Sequence, residues 1–137
     1  YTGDVGYFDK DKYLYVIGRK KEIIIRSGIN VYPYDIEKIL NKYPNIKESA
    51  VIGIKEKKLV EMIYAFIKLK LKKKIVTKKL YKYCLNNLAD YQIPTKLFVV
   101  DDLPRVSLNK ISKYQLKNNL SKYANKKNII FNNYSLL

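Results

Sequence analysis

The sequence predicts an α+β domain in which a small mixed sheet is flanked by three helices and preceded by a β-hairpin. Two observations carry this prediction. Runs of β-branched and aromatic residues bounded by polar turns are typical of strands, and three other segments place apolar residues at helical spacing. Their order, β-β-β-α-β-β-α-β-α, is typical of an α+β domain. With 137 residues and 47% hydrophobic content, the chain is long enough to bury one core.

The first eighteen residues predict the hairpin. Residues 4–8 and 12–18 have the composition of strands, and the polar residues 9–12 supply turn-forming side chains between them. A third apolar run begins at residue 22 and ends in a polar loop by residue 30. Gly28 lies in this loop, and glycine is the residue best suited to a positive φ.

Three segments predict helices, namely residues 32–43, 77–91 and 111–120. In the first, Pro33 fits the opening turn and Asp35 favours the positive N-terminal end. In the second, Thr77 is the expected N-cap. The apolar faces predicted for these two helices comprise Ile36, Ile39, Leu40 and Tyr43 in the first, and Leu80, Cys84, Leu85 and Leu88 in the second.

Three further segments, residues 46–54, 61–71 and 95–100, predict strands. In 61–71, apolar residues occupy both alternating sets of positions, which is typical of a central strand covered on both faces. Beyond residue 120 the sequence is rich in Asn and Lys. We therefore expect residues 121–137 to form a frayed or disordered tail.

Composition excludes several kinds of function. The chain has no His and a single Cys, Cys84, which argues against a disulfide framework, a zinc site and His-based acid–base catalysis. A lone cysteine fits a reducing compartment, so the expected location is cytoplasmic. No apolar run is long enough to predict a membrane span.

The formal net charge of +16 raises the question of a nucleic-acid partner. Only three of the 28 basic residues are Arg, the side chain preferred for phosphate and base recognition, and the Lys residues are spread along the whole chain. This distribution is typical of a solvated surface, so we expect no specific nucleic acid. A peripheral contact between this basic surface and a membrane is left open.

Four short stretches carry residue types that indicate chemistry rather than packing. They are a Thr-Gly-Asp triplet ending in Asp4, a basic segment with Arg19 and Lys21, a loop of Ser27, Gly28 and Ile29, and a segment ending in Lys110. Each is weak alone, because a turn-forming Asp, a basic surface, an ordinary strand-to-helix connection and a surface lysine are simpler interpretations.

Together, the order and spacing of the four stretches resemble the C-terminal part of the adenylate-forming superfamily of acyl-CoA synthetases, adenylation domains and luciferases. The resemblance extends from Thr2 to about Leu120, and residues 18–37 follow the pattern GRxKDxIxxxGxNIxPxEIE without a gap. It implies that residues 1–20 end a large N-terminal domain and that 21–120 form a mobile C-terminal domain, followed by the tail 121–137. The chain would then be a portion of a longer polypeptide that supplies the phosphate-binding loop and acyl pocket.

The resemblance implies roles for the residues near the start of the chain. Asp4 corresponds to the carboxylate that binds the ribose hydroxyls of ATP or acyl-AMP, and Arg19 corresponds to an arginine near the same nucleotide. Lys21 falls at the hinge around which the C-terminal domain rotates between two half-reactions.

The later stretches also receive roles by resemblance. Ser27, Gly28 and Ile29 correspond to the segment that faces the pantetheine channel during thioester formation. Lys110 corresponds to the catalytic lysine that enters the active site during adenylation. Asn109 stands where the family usually has Gly, which weakens the match beside Lys110, although Asn tolerates left-handed backbone.

The implied function is that of the C-terminal portion of an acyl-CoA synthetase, most like fatty acyl-CoA ligases. Such an enzyme activates a carboxylic acid with ATP to acyl-AMP and transfers the acyl group to CoA, with Mg²⁺ held mainly by the N-terminal domain. The fragment alone is expected to be inactive. Two alternatives stay open: an adenylation domain or acyl-AMP ligase that loads a carrier protein, and a basic nucleic-acid-binding module.

Overall fold

The computed structural model describes residues 4–8, 14–19, 22–55 and 61–132. Two hairpins open the chain. The first pairs β1 (Asp4–Phe8) antiparallel with β2 (Leu14–Arg19), as the sequence predicts, although the predicted turn at 9–12 lies outside the described residues. The third predicted strand is itself a hairpin, in which β3 (Ile24–Arg26) pairs antiparallel with β4 (Ile29–Val31).

The remaining elements follow in an order close to the predicted one. They are α1 (Pro33–Asn41), β5 (Ile46–Lys55), β6 (Glu61–Leu69), α2 (Thr77–Asn87), β7 (Lys96–Val99), β8 (Arg105–Val106), β9 (Lys110–Ile111), α3 (Lys113–Asn118), α4 (Leu120–Tyr123) and β10 (Ile129–Asn132). Pro33 opens α1, where its fixed φ and missing N–H suit the first helical position. Val76, and not Thr77, is the N-cap of α2, so that prediction is wrong by one residue.

A mixed sheet of four strands organises the described part of the chain. Its order is β10-β7-β6-β5, with β6 and β7 parallel and the other two pairs antiparallel. Parallel neighbours need a crossover connection, and α2 supplies it between β6 and β7. The two alternating residue sets of β6 face two separate hydrophobic cores, which confirms the prediction of a strand covered on both faces.

Helices α1 and α2 cover one face of this sheet, and α3 and α4 cover the other. The first core includes Ile36, Leu40, Leu80 and Cys84 from the helices, with Ile63, Ala65 and Ile67 from β6. The second includes Leu116 from α3, with Met62, Tyr64 and Phe66 from β6. Burial raises the pKa of the Cys84 thiol to about 11, so this cysteine is a core side chain and not a nucleophile. Leu85 is 44% exposed, so its predicted inward position is wrong.

The expectation of a frayed tail is wrong for residues 121–132. α4 ends at Tyr123, and β10 pairs antiparallel with β7 through Ile129, Phe131 and Asn132. Phe131 is only 8% exposed and its ring lies edge-on to that of Tyr81, with centroids 5.4 Å apart. Short-range composition concealed a strand whose pairing partner lies some thirty residues earlier.

Among the described residues, no helix is long and apolar enough to cross a bilayer.

Candidate functional site

The β3–β4 hairpin presents the predicted loop residues at a two-residue turn. Ser27 has φ 50° and Gly28 has φ 79°, so both central residues lie in the left-handed region that a type I′ turn requires. Both are exposed, and Ile29 beside them is 43% exposed. The sequence therefore places its glycine where the backbone demands it, and the turn stands out from the domain surface.

A buried arginine fixes the base of this hairpin to the segment that precedes β7. Arg26 is 4% exposed, and its Nη1 donates to the carbonyl oxygens of Ile93 at 3.1 Å and Tyr91 at 3.5 Å. Burial lowers the pKa of the Arg26 guanidinium. Ile24 lies over Gly53 so closely that a Cβ at Gly53 would approach its Cγ1 to 2.8 Å. The exposed turn is thus carried by a rigid base.

Lys110 lies on a small hairpin and not in the irregular loop that the sequence indicated. It is the first residue of β9 and pairs with Val106 of β8, and the two strands are joined by the 3₁₀ turn Ser107–Asn109. Asn109 has φ 63°, the left-handed conformation that accounts for Gly being usual at this position in the family that the sequence resembles. Lys110 itself is exposed.

One ion pair joins the Lys110 hairpin to the four-stranded sheet, and two hydrogen bonds hold the hairpin itself together. Arg105 forms an ion pair with Glu48 of β5, and its Nη1 donates to the Asn109 carbonyl oxygen at 2.7 Å. The Ser112 backbone N–H donates to the Pro104 carbonyl oxygen at 2.7 Å and closes the base of the hairpin. One guanidinium group can hold two acceptors at once, here Glu48 and the Asn109 carbonyl oxygen, because its N–H donors form a planar fork.

A cluster of one lysine and two carboxylates, which the sequence did not reveal, lies directly after Lys110. Lys113 Nζ is 3.0 Å from Glu37 Oε2 and 3.4 Å from Glu22 Oε2. Glu37 Oε2 also accepts a hydrogen bond from the Val51 N–H at 2.9 Å. Burial raises the pKa of the Glu37 carboxyl, while Lys113 acts in the opposite direction. The three residues and Lys110 line one cleft of about 550 Å³.

Asp4 and Arg19 are brought together by the first hairpin. They are directly paired positions at the open end of β1 and β2. Two positions predicted to serve one nucleotide are therefore backbone neighbours despite fourteen intervening positions in the sequence. Lys21, the predicted hinge, lies outside the described residues.

The candidate residues lie on three separate hairpins of the described chain. Asp4 and Arg19 belong to the first hairpin, Ser27 and Gly28 to the second, and Lys110 to the third. The cleft lined by Lys110 includes none of the turn residues 27–29. The Lys110 cleft and the turn of the β3–β4 hairpin are therefore separate features of the described surface.

The family model described as the C-terminal domain of AMP-binding enzymes matches residues 35–110. The chain belongs to this family. Its curated relatives include a 2-succinylbenzoate–CoA ligase of Geobacillus sp. (strain WCH70), 39% identical over 85% of this chain and 24% of the relative. A medium-chain acyl-CoA ligase of Danio rerio is 35% identical over 88% of this chain and 20% of the relative. The chain thus spans about a quarter or less of these relatives.

Solved structures of AMP-binding enzymes confirm the fold. The o-succinylbenzoate CoA synthetase of Bacillus subtilis, in complex with an acyl-adenylate intermediate, superposes with a TM-score of 0.76 and 40% identity over 85% of this chain and 24% of its own. A Mycobacterium tuberculosis fatty acyl CoA synthetase gives a TM-score of 0.77 and 35% identity over 88% of this chain and 24% of its own. The predicted α+β class and family resemblance are both confirmed.

In the described ranges, no group of three or more Asp, Glu or Cys side chains is arranged to hold a metal ion.

Proposed function

We propose that this chain is the C-terminal portion of an AMP-forming acid–thiol ligase that activates a carboxylic acid with ATP and transfers the acyl group to CoA. The observation that carries the proposal is the exposed Lys110 on a braced hairpin, next to a left-handed Asn109, at the end of the family match. An exposed cation on a rigid support is suited to enter a site formed elsewhere in the protein.

In the first half-reaction, a carboxylate oxygen of the acid attacks the α-phosphorus of ATP. The new bond is the acyl–phosphate bond of acyl-AMP, and the bond to pyrophosphate breaks. Negative charge grows on the phosphoryl oxygens and the leaving pyrophosphate, and the Lys110 ammonium stabilises it electrostatically. Asp4 holds the ribose hydroxyls, and Arg19 contributes a permanent positive charge near the nucleotide.

In the second half-reaction, the CoA thiol sulfur attacks the acyl-AMP carbonyl carbon. A thioester bond forms, AMP leaves with the bonding electron pair, and the thiol proton is released. Ser27, Gly28 and Ile29 line the channel for the pantetheine arm, where the glycine lets backbone approach the ligand. Lys21 is the hinge for the rotation between the two steps.

The names of the relatives bear on which acid the proposed enzyme activates. The resemblance in the sequence favours a fatty acid, whereas several relatives are named as 2-succinylbenzoate–CoA ligases. Between these two, we propose 2-succinylbenzoate as the first acid to test and a medium-chain fatty acid as the second. A cytoplasmic location, with or without peripheral membrane contact, stays part of the proposal.

The named acceptor of these relatives supports CoA over a carrier protein, since each of them is called a CoA ligase. A specific nucleic-acid role finds no support among the similar proteins. The two alternatives predict different measurements. A carrier-loading enzyme transfers the acyl group to a phosphopantetheine-bearing protein, and a nucleic-acid-binding module binds duplex or single strands with a steep salt dependence.

The test uses the full-length protein and separates the half-reactions. Lys110→Ala is expected to lower acid-dependent ATP–pyrophosphate exchange by about a hundredfold or more, because a transition-state cation is lost. Thioester formation from preformed acyl-AMP is expected to remain. Lys117→Ala removes a charge from the same cleft and serves as the matched control. Equal loss of both half-reactions in the Lys110 variant contradicts the proposal.

A further inference from the structure

Lys113 occupies an unusually enclosed position for a lysine in this basic chain. Its side chain is 18% exposed, and those of its partners Glu37 and Glu22 are 17% and 29% exposed. Lysine is among the residues least often buried, and it is buried mainly when paired. The Lys113 ammonium, enclosed by two carboxylates, is therefore a specific structural feature and not a solvated surface charge.

The two carboxylates belong to separate parts of the chain. Glu37 lies on α1, and its Oε2 is fixed from the other side by the Val51 N–H of β5 at 2.9 Å. Glu22 immediately follows the predicted hinge position and precedes β3. Lys113 thus joins the start of α3 to the α1–β5 layer and to the segment beside the hinge.

A short, rigid path connects Lys113 to Lys110. Lys113 is the first residue of α3, and Ser112 caps that helix by accepting a hydrogen bond from the Gln115 N–H at 3.1 Å. The Ser112 N–H is in turn bonded to Pro104 at the base of the Lys110 hairpin. The two residues between Lys110 and Lys113 are thus both anchored through their backbone, Ile111 by pairing with Arg105 and Ser112 by its bond to Pro104.

We propose that Lys113, held by Glu37 and Glu22, is a positioning residue that fixes the direction in which Lys110 enters the adenylation site. This inference rests on the proposed function. It adds a residue that acts through Lys110 and does not touch the nucleotide. Positional errors of about 1 Å can lower a rate by about a hundredfold, so such a support has a measurable effect.

The experiment uses the full-length protein with Lys113→Met, which keeps the stem and removes the charge. The expected result is a fall of about tenfold or more in kcat for ATP–pyrophosphate exchange, with KM for ATP little changed and thioester formation from preformed acyl-AMP retained. Lys113→Arg is expected to restore most of the exchange rate, because it keeps the charge. Lys117→Met, one turn further along the chain and in the same cleft, is the matched control.

A double variant distinguishes positioning from a structural role. If Lys113 acts through Lys110, adding Lys113→Met to Lys110→Ala is expected to cost little beyond Lys110→Ala alone. Additive losses, or equal loss of both half-reactions together with a lower Tm, overturn the inference.

Should Lys113→Met fail to fold, Glu22→Gln removes one partner from the more exposed side, and unchanged kcat in that variant overturns the inference as well. If Lys110→Ala keeps full ATP–pyrophosphate exchange activity, the proposed function is wrong. If Lys110→Ala loses that activity while Lys113→Met keeps it, the proposed function stands and only this inference is wrong.

Discussion

Glu37 shows how one carboxylate in this domain balances burial against pairing. Its Oε2 contacts both the Lys113 ammonium and the Val51 N–H, yet burial still raises the pKa of the carboxyl. Removing a charged group from water costs free energy that an ion pair only partly offsets. Glu37 in its ionised form therefore lowers the stability of the fold relative to its protonated form.

The pH dependence of stability tests this balance. Because the folded-state pKa of Glu37 is raised above 4.5, its favourable contribution is fully present below that value and is lost as the pH rises through the folded pKa. The difference in free energy of unfolding between the native protein and Glu37→Gln is expected to fall as pH rises from about 4 towards neutrality. Urea unfolding at several pH values measures it. A difference that grows with pH would mean that Lys113 outweighs burial.

At the scale of elements, the β3–β4 and β8–β9 hairpins both have residues in the left-handed conformation at their turns. Ser27 and Gly28 turn β3 into β4, and Asn109 turns β8 into β9. A Cβ at Gly28 would meet no atom within 4 Å, so the need for glycine there is conformational and not steric crowding. The hairpin that carries the predicted channel residues is thus specified by backbone preference.

Substitution at Gly28 tests that origin. Gly28→Ala is expected to lower the free energy of unfolding by about 1–2 kcal/mol, since Ala is disfavoured in left-handed backbone. Gly28→Asn is expected to cost clearly less, because Asn adopts this conformation more readily. Chemical denaturation of both variants gives the comparison. If both variants lose the same free energy of unfolding, the left-handed φ of Gly28 is not the cause of the loss.

At the scale of the whole molecule, the sheet separates two cores, and β10 completes the first. Phe131 contributes to that core beside Tyr81, although it comes from a segment with the composition of a tail. Burial of such a side chain stabilises the fold through its lost contact with water and its packing. The folded domain therefore continues beyond residue 120 and includes β10.

A truncating substitution measures the contribution of β10. Phe131→Ala is expected to lower the free energy of unfolding by about 3 kcal/mol, the range for a buried Phe. Tyr114→Ala, at a ring that is 76% exposed, is expected to change it by less than about 0.5 kcal/mol. Chemical denaturation midpoints of the two variants measure the difference in stability. If the Phe131 variant is as stable as the Tyr114 variant, β10 does not contribute to the stability of the core.

Local sequence patterns predicted those parts of the molecule whose signals are short-range. The two-faced β6, the Pro33 start of α1 and the glycine turn at 28 each follow from neighbouring residues alone. β10 escaped prediction because edge pairing depends on β7, a distant partner. The Lys113 cluster escaped for the same reason, since its members are residues 22, 37 and 113 and any lysine has a similar local context. Roles for Asp4, Arg19, Lys21 and Lys110 came from motif order, and they stay predictions.

The position of β10 also bears on solubility. β7 contains the apolar sequence Leu97-Phe98-Val99, and β10 supplies its backbone partners along the edge away from β6. When β10 detaches, β7 presents unpaired N–H and C=O groups beside two buried side chains, an arrangement that templates intermolecular strand addition. A substitution that weakens the pairing of β10 with β7 is therefore expected to promote aggregation under conditions where the globally unfolded fraction of the protein is still negligible. We therefore expect the pairing of β10 with β7 to protect the domain against self-association.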